Sequence, residues 1–430
     1  MGAISYYLET YGCALNTADS DMIAGHLNAR GAKRVLSPEE ARVIILNTCG
    51  VKEPTEDRVI HRLKELSKIA KPVIVAGCLP KISLQRVQRA IPNYAAILGP
   101  QSIETLGLIV DRVMKGERGL LHLEPDTGSK LQFFKGPPGS VVCTVPICEG
   151  CLGSCTYCAV KFARGNVKSY SIKSLHDVVR RCVHQGYREI RLTGQDTGVY
   201  GHETGENLVD LLQALDDIEG THMFRLGMFN PHHILATIDD FLQVMGSPRF
   251  FKFFHIPLQS GSNSILGDME RRYSVEDWRS AVHSIEKKIP LATIATDIIV
   301  GFPGETDEDF DKTIEIISDL KPSVVNISKY GDRPGTVASQ ARNKVNSSIK
   351  KDRSRQLSAL VAEVVTEQNA TWLGWTGPVL VIGAASKGGT LCRNSSYKVV
   401  IVQKQLTPGK TVDVEITMAH RTHLAAMVIP

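Results

Sequence analysis

Apolar residues in the first part of the chain fall into short runs, and each run is followed by a stretch with helical spacing. The runs predict strands and the stretches predict helices. We expect strands at Ile4–Thr10, Val43–Leu46 and Val73–Ala76, with helices near Asp19–Ala29 and Glu56–Ile69. Because strands that alternate with helices usually pair in parallel, residues 1–125 are predicted to form a parallel α/β domain.

The same rhythm resumes after a Gly- and Pro-containing linker, Glu124–Ser140. Six further strands are predicted at Val141–Val145, Glu189–Thr193, Met223–Met228, Phe253–Pro257, Thr293–Val300 and Val324–Lys329. A long helix near Ser348–Asn369 follows them. Six strand–helix units are fewer than the eight of a closed barrel. Residues 141–371 are therefore predicted to form an open, partial TIM barrel.

The last part of the chain changes character, because short strand-like runs alternate there with Gly, Asn, Ser and Pro. The runs are Pro378–Ile382, Lys398–Val402, Thr411–Thr417 and His423–Val428. They predict a small all-β barrel or sandwich over residues 372–430. This segment has six basic residues against two acidic ones, a net charge of +4 out of +5 for the whole chain. An RNA partner would suit that charge.

Composition limits where the chain works. With 430 residues and 43% hydrophobic residues it is long and apolar enough for several folded domains. No apolar run reaches the ~20 residues of a membrane span, and the N-terminus lacks the pattern of a signal peptide. We expect a cytoplasmic protein without a membrane partner. Its ten cysteines are then not expected to form disulfides.

Three cysteines, the loop cysteines, lie close together at Cys151, Cys155 and Cys158. Their Cys-x3-Cys-x2-Cys spacing places three thiols in one loop after a predicted strand. Thiolates suit iron–sulfur clusters, and three of them leave one iron of a four-iron cluster open. The alternatives are a zinc site, which favours paired cysteines and four ligands, or buried structural cysteines. The neighbouring Cys148 is not expected to be a ligand.

Three other cysteines, the strand-end cysteines, are Cys13, Cys49 and Cys78. Each follows the end of a predicted strand. Since the carboxyl ends of parallel strands meet at one edge, these thiols are predicted to converge on a second cluster. The alternative is three ordinary buried cysteines. Bystander roles are expected for the remaining thiols, Cys143, Cys182 and Cys392.

Several segments carry a family resemblance. ETYGCALN, LNTCGVK and AGCLP resemble the N-terminal cluster domain of the methylthiotransferases, and EGCLGSCTYC resembles their radical S-adenosylmethionine motif. LTGQDTGVYG, MFNPHH, HIPLQSGS, TDIIVGFPGET and DRPGT are similar to later signatures and follow in the family's order. The tail resembles the TRAM-like RNA-binding β-barrel of these enzymes. The likeness covers essentially the whole chain.

The segments KFARG and RNSSYKVVIV look like the archaeal and eukaryotic branch of the family. That branch acts on N6-threonylcarbamoyladenosine at tRNA position 37 and adds a methylthio group to C2 of the adenine. The eukaryotic members end in a membrane anchor. Because this chain stops at Pro430 without one, the expectation is an archaeal-type member.

The resemblance also implies cofactors and partners. These are two 4Fe–4S clusters, S-adenosylmethionine as both methyl donor and radical source, a tRNA substrate, an electron donor, and a source of sulfide or persulfide. The strand-end cysteines would hold the sulfur-delivering cluster. The loop cysteines would hold the cluster that cleaves S-adenosylmethionine, and the resulting 5′-deoxyadenosyl radical would remove hydrogen from C2.

Cofactor contacts are expected from residues in the barrel strands or in the loops that follow them, namely Tyr157, Thr193, Gln195, Asp196, Arg225 and Gln259. Some alternatives stay open. Tyr157 either lies over the cofactor or packs on the barrel rim. A buried Arg225 needs a partner, either the carboxylate of S-adenosylmethionine or a structural carboxylate. The loop after Thr193 either binds the cofactor or bonds its own backbone.

Substrate or RNA contacts are expected from Asp297, Arg333, Lys387, Arg393 and Lys398. Asp297 faces either the pocket or the outside of the sheet. Scattered lysines such as those of the tail are otherwise typical of a solvated surface.

Two other functions compete with the tRNA methylthiotransferase. One is a methylthiotransferase that acts on an aspartate of a ribosomal protein and has the same clusters. The other is an electron carrier with an RNA-binding tail. Carriers usually ligate every iron with protein, so two sets of three cysteines argue against a carrier.

Overall fold

The structure is a computed structural model that describes residues 4–51 and 53–430. Its first region contains a six-stranded, all-parallel sheet in the order β2-β1-β3-β4-β5-β6. The strands are β1 (Ser5–Thr10), β2 (Lys33–Arg34), β3 (Val43–Thr48), β4 (Val73–Gly77), β5 (Ala96–Leu98) and β6 (Leu120–His122). The helices are α1 (Ala14–Ala29), α2 (Glu53–Leu66), α3 (Cys78–Ala90) and α4 (Ile103–Met114).

Both faces of this sheet are covered, which explains why its central strands are apolar throughout. Every residue of β3 and β4 is buried. Helices α1 and α4 pack on one face, and α2 and α3 pack on the other. A parallel sheet buried on two faces selects continuous apolar strands rather than alternating ones. The predicted parallel α/β fold is confirmed.

The middle region contains six parallel strands in two groups, β7-β10-β11 and β12-β13-β14. A parallel bridge between Phe224 and Phe250 joins the groups. Over the described residues β7 and β14 do not pair, so the barrel is open, as predicted. The strands are β7 (Val142–Pro146), β8 (Cys148–Glu149), β9 (Lys168–Ser169), β10 (Glu189–Thr193), β11 (Met223–Leu226), β12 (Phe253–His255), β13 (Thr293–Val300) and β14 (Val324–Lys329); β8 and β9 form a separate short ladder.

Helices cover the outer face of this barrel. Phe241 of a covering helix packs against Phe254 with ring centroids 6.3 Å apart. Because successive strand residues point to opposite faces, the neighbours of Phe254 point into the barrel, as do Arg225 and Asp297. The helices are α5 (Val160–Arg164), α6 (Ile172–His184), α7 (Leu208–Asp216), α8 (Ile238–Met245), α9 (Asn263–Asp268), α10 (Val275–Lys288), α11 (Asp307–Leu320) and α12 (Ser347–Ala370).

The last region is a closed five-stranded barrel in the order β15-β16-β17-β19-β18, which confirms the predicted β-barrel. Its strands are β15 (Thr376–Ala384), β16 (Thr390–Asn394), β17 (Val399–Val402), β18 (Thr411–Ala419) and β19 (Leu424–Val428). The sequence did not indicate β16, since its three inward residues, Thr390, Cys392 and Asn394, include two polar ones. Of the helices described, none is long and apolar enough to cross a membrane.

Candidate functional site

The strand-end cysteines lie side by side at the carboxyl edge of the first sheet. Cys13 follows β1 and precedes α1, Cys49 follows β3, and Cys78 begins α3 directly after β4. The three strands are neighbours in the sheet, so the structure brings these cysteines together. Burial, together with the neighbouring thiols of Cys78 and Cys13, raises the pKa of Cys49 to about 12.

Two glycines let the strand ends approach this closely. Gly12 has a φ of 126°, and a Cβ there would lie 2.7 Å from Cβ of Cys49. Gly77 has a φ of 100°, and a Cβ there would lie 2.4 Å from the carbonyl oxygen of Thr48. Both positions need glycine for backbone conformation and for space. Gly12 and Gly77 therefore allow the strand-end cysteines that follow them to lie close to Cys49 and its strand.

The loop cysteines lie between β8 and α5. Gly153 N donates to Sγ of Cys151 at 3.3 Å, and a Cβ at Gly153 would lie 3.5 Å from Sγ of both Cys151 and Cys155. The amide of Cys158 donates to the carbonyl of Cys155 at 3.0 Å. The loop therefore places the thiols of Cys151 and Cys155 next to a residue without a side chain.

The donor sets fit two iron–sulfur clusters. All six cysteines are free thiols, and thiolates are the ligands that such clusters prefer. Over the residues that the structure describes, no three His, Cys, Asp or Glu side chains lie close enough to hold one metal ion. Three thiols per site suit a four-iron cluster, in which each thiolate binds a different iron.

The thiols must lose protons when iron binds. Burial raises the pKa of Cys158 to about 12, and burial also raises the pKa of Cys151 and of Cys78. Without metal these groups are neutral at physiological pH. Because the ligand is the thiolate, cluster assembly releases protons and is favoured by higher pH.

Each set of cysteines has one arginine that donates to a sulfur. Arg164 Nε lies 3.2 Å from Sγ of Cys78, and Arg271 Nη1 lies 3.1 Å from Sγ of Cys155. Arg271 also stacks on Tyr273 at 4.7 Å and donates to Oδ1 of Asn230. Sequence reasoning missed both arginines, although Arg164 lies in the KFARG segment. Their acceptors are distant in the chain.

The predicted cofactor residues after β10 contact the protein itself. Gln195 Oε1 accepts from the amide of Gly150 at 2.7 Å, which ties this loop to the loop cysteines. The buried Asp196 accepts from the amides of Gly198 at 3.0 Å and Asn230 at 3.2 Å. Thr193 is buried at the end of β10. Their contacts with S-adenosylmethionine stay a prediction.

Two more predicted cofactor residues lie at the mouth of the barrel. Tyr157 packs edge-on against Phe302, with ring centroids 6.3 Å apart, in the wall formed by loops after β13 and β14. Gln259 has a φ of 73° and pairs through its backbone with β13, at 2.8 Å to the carbonyl of Asp297. The position of Tyr157 agrees with the rim alternative.

Arg225 points into the barrel but toward its amino-terminal end. Its guanidinium lies 4.6 Å from the ring centroid of Phe253 and 5.8 Å from that of Tyr397 in the C-terminal barrel. Its buried Nε has no hydrogen-bond partner among the described residues, and burial lowers its pKa. Aromatic rings contact this charge, and the carboxylate of Glu189 attracts it through space.

Asp297 lies on the inner face of the barrel. One carboxylate oxygen is 2.9 Å from Nε2 of His255, and the other accepts from Asn326 at 2.9 Å. The carboxylate therefore faces the barrel interior and not the outside of the sheet, and its contact with a substrate stays a prediction. Arg333 is 6% exposed, and it donates to the carbonyl of Gly50 at 2.9 Å and to Glu56 at 2.6 Å. It connects the barrel to the residue after Cys49.

The predicted RNA residues of the tail differ in exposure. Lys387 is exposed in the turn after β15. Lys398 is 9% exposed and donates to Oδ1 of Asn369 at 3.1 Å, and Arg393 donates to the carbonyl of Tyr397 at 3.1 Å. Both line a cavity of about 610 Å³ between the C-terminal barrel, β14 and α12. This cavity lies away from the cysteines.

Comparisons with known proteins agree with this geometry. Residues 5–99 match the uncharacterized protein family UPF0004, and residues 145–317 match the radical SAM superfamily. A Pyrococcus abyssi protein named "Probable threonylcarbamoyladenosine tRNA methylthiotransferase" is 40% identical over 403 residues, 93% of each chain. The human protein named "Threonylcarbamoyladenosine tRNA methylthiotransferase" is 35% identical over 96% of this chain and 72% of its own.

Solved structures show the same fold at low identity. The radical S-adenosylmethionine methyltransferase TsrM from Kitasatospora setae, solved with cobalamin and a 4Fe–4S cluster, matches with a TM-score of 0.59. The match covers 78% of this chain and 77% of that chain at 12% identity. At that identity the likeness concerns the fold.

Proposed function

Because this chain belongs to the threonylcarbamoyladenosine tRNA methylthiotransferase family, we propose that it adds a methylthio group to C2 of N6-threonylcarbamoyladenosine at position 37 of tRNA. It is a radical S-adenosylmethionine enzyme. The product is 2-methylthio-N6-threonylcarbamoyladenosine. The alternatives, an aspartate of a ribosomal protein and simple electron transfer, are not favoured by these relatives.

One observation carries the proposal, namely that a buried side chain next to one three-cysteine site contacts a cysteine of the other. Arg164, from the helix after the loop cysteines, donates to Cys78 of the strand-end site. A reaction that breaks a C–H bond and then forms a C–S bond needs two reactive groups held close together. When bound, the two clusters and S-adenosylmethionine supply the radical, the sulfur and the methyl group.

The residues of the chain have distinct roles in this proposal. Cys151, Cys155 and Cys158 hold one cluster, and Gln195 keeps their loop in place by accepting from Gly150. Cys13, Cys49 and Cys78 hold the other. Inside the barrel, Asp297 and its hydrogen-bonded partner His255 provide a polar inner face for the substrate base. These residues orient the base and exclude water.

The proposal also assigns a function to each domain and names the partners of the enzyme. Three domains, 1–125, 141–371 and 372–430, respectively bind the sulfur-delivering cluster, generate the radical and bind tRNA. Lys387, exposed on the C-terminal barrel, is a candidate phosphate contact. The other proposed partners are a cytoplasmic electron donor and a source of sulfide or persulfide.

A single assay tests the proposed function. The protein is reconstituted without oxygen and incubated with reductant, sulfide, S-adenosylmethionine and tRNA that contains N6-threonylcarbamoyladenosine. Digested nucleosides are then weighed by mass spectrometry. A new nucleoside heavier by one methylthio group, in place of one hydrogen, is the expected result. The matched control is the same tRNA with unmodified adenosine at that position.

Each other outcome contradicts a different part of the proposal. If 5′-deoxyadenosine accumulates but the tRNA is unchanged, the radical chemistry stands and the substrate is wrong. A ribosomal protein that gains the methylthio group would support the aspartate alternative. If reduced enzyme makes no 5′-deoxyadenosine, the electron-carrier alternative is supported.

A further inference from the structure

Arg164 is the most buried charged residue between the two cysteine sites, with 1% of its surface exposed. It ends the short helix α5 that follows the loop cysteines. Its guanidinium has three acceptors. Nε donates to Sγ of Cys78 at 3.2 Å, Nη1 lies 3.1 Å from Oε2 of Glu149, and Nη2 donates to Oδ2 of Asp19.

The three acceptors belong to the elements that carry the cysteines. Asp19 lies in α1, the helix that begins directly after Cys13. Glu149 lies in β8, two residues before Cys151. Cys78 is itself a strand-end cysteine. One planar side chain therefore contacts both edges of the strand-end site and the start of the loop that bears the other site.

A second cation completes the charge balance around Arg164. Lys130 Nζ lies 2.5 Å from Asp19 and 2.8 Å from Glu149. Tyr170 donates to the other oxygen of Glu149 at 2.6 Å. The two cations and two carboxylates cancel, so a thiolate at Cys78 adds one negative charge to a neutral network. Lys130 donates to no sulfur among the described residues.

We propose that Arg164 is a positioning residue that raises the reduction potential of the cluster on the strand-end cysteines and fixes it relative to the loop cysteines. The inference rests on the proposed function only in that both cysteine sets hold clusters. A hydrogen bond to a cluster thiolate stabilises the reduced, more negative form, and such bonds are a main determinant of cluster potentials.

Only an arginine can make this set of contacts. Its planar fork carries five N–H donors and can reach a sulfur and two carboxylates at once. A lysine at position 164 would keep the positive charge, but its compact ammonium group lacks the planar arrangement of donors that reaches all three acceptors. Arg164→Lys is therefore expected to keep part of the effect. Arg164→Gln removes the charge and the fork together.

The test isolates one cluster in the full chain. The background variant is C151A/C155A/C158A, which lacks the loop cysteines and retains the strand-end cysteines as its cluster site. Its cluster is titrated with a reductant without oxygen and followed by electron paramagnetic resonance. Arg164→Gln is expected to shift the midpoint potential to a more negative value, and Arg164→Lys to shift it less. Lys130→Gln is the matched control, because Lys130 binds the same carboxylates without touching a sulfur; its shift is expected to be the smallest.

Two results would overturn the inference. One is an unchanged midpoint potential in Arg164→Gln with iron content retained. The other is an equal shift in Lys130→Gln, which would mean that net charge, and not the contact with Cys78, sets the potential. If Arg164→Gln loses its iron, Arg164→Lys decides between the same two results. Failure of the background variant itself to bind iron would instead count against the proposed function.

Discussion

The two edges of the central barrel bury similar charged residues for different purposes. At the carboxyl edge, Arg271 donates to a cysteine sulfur at 3.1 Å. At the amino edge, a turn of the C-terminal barrel is inserted against the first residues of the strands. Tyr397 donates to Glu189 at 2.5 Å, and the amide of Lys252 donates to the carbonyl of Ser395 at 2.7 Å. Arg225 lies over aromatic rings there.

Burial of a charged side chain therefore does not by itself indicate an active site. Arg225 is partly buried and Lys398 is 9% exposed, yet both contact the seam with the C-terminal barrel. In barrels of parallel strands the carboxyl edge is generally the reactive one, and the amino edge contributes stability. Changes at the carboxyl edge should therefore alter chemistry, and changes at the amino edge should alter the free energy of unfolding.

The largest effect is expected from Cys155→Ala at the carboxyl edge. Removal of one loop cysteine should abolish 5′-deoxyadenosine formation, because the cluster that cleaves S-adenosylmethionine loses a ligand. Cys49→Ala is the matched control, expected to keep 5′-deoxyadenosine formation and to lose only the methylthio product. Both products are measured by chromatography and mass spectrometry. Retained 5′-deoxyadenosine in Cys155→Ala would refute the assignment of the loop cysteines.

At the amino edge, Tyr397→Ala should destabilise the fold without changing the chemistry. The ring packs against Phe251 and Phe253, with centroids 4.9 and 5.2 Å away, so truncation should cost about 3–5 kcal/mol of unfolding free energy. Tyr397→Phe, which loses only the hydrogen bond to Glu189, should cost about 1 kcal/mol. Anaerobic urea unfolding measures both. If Tyr397→Ala forms 5′-deoxyadenosine more slowly per folded molecule, the amino edge also affects the chemistry, and the proposed difference between the two edges is wrong.

Arg333→Ala tests whether the link from the barrel to Cys49 matters for sulfur delivery. Loss of the bond to Gly50 should lower the rate of methylthio product formation by up to about 10²-fold, since misplacement of reacting groups has effects of that size. The rate of 5′-deoxyadenosine formation should stay unchanged. Arg86→Ala is the control, because Arg86 pairs with the same Glu56 at 2.6 Å but is 45% exposed. Equal losses in both variants would exclude a specific role for Arg333.

The smallest effect is a pH dependence from the amino edge. His222 is 2% exposed, its ring nitrogens have no partner among the described residues, and burial lowers its pKa to about 4. The ordinary pKa of histidine is about 6.5. At pH values between about 6.5 and about 4, the unfolded chain therefore binds a proton at His222 that the folded chain does not bind. Lowering the pH from about 7.5 to about 5.5 should therefore cost roughly 1 kcal/mol of stability. His222→Leu should remove this contribution in urea unfolding, and an identical pH slope in both proteins would contradict it.

The sequence predicted the architecture better than it predicted the contacts. All six strands of the central barrel were indicated, because apolar runs such as Thr293–Val300 are bounded by polar turns. A small C-terminal β-barrel was also predicted, but its strand β16 was not, because polar residues occupy inward positions there. Local pattern determines these elements, so a single sequence suffices for them.

Contacts between residues that are distant in the chain could not be predicted from the sequence, for a physical reason. Arg164 meets Cys78 and Asp19 across 86 and 145 positions of the chain, and no periodicity connects such residues. The charges of Arg393 and Lys398 suggested RNA, although a charge pattern does not reveal which residues a neighbouring domain covers. The cysteine motifs were informative because their positions at strand ends already implied a shared edge.

The placement of the strand-end cysteines has a consequence for how the protein is made. The loop cysteines are neighbours in the chain, so they meet at almost any stage of folding. Cys13 and Cys78 become neighbours only after β1, β3 and β4 have paired, and parallel pairing through crossover helices is slow because it depends on distant contacts. Iron at the strand-end site therefore reports that β1, β3 and β4 have paired, whereas iron at the loop site does not.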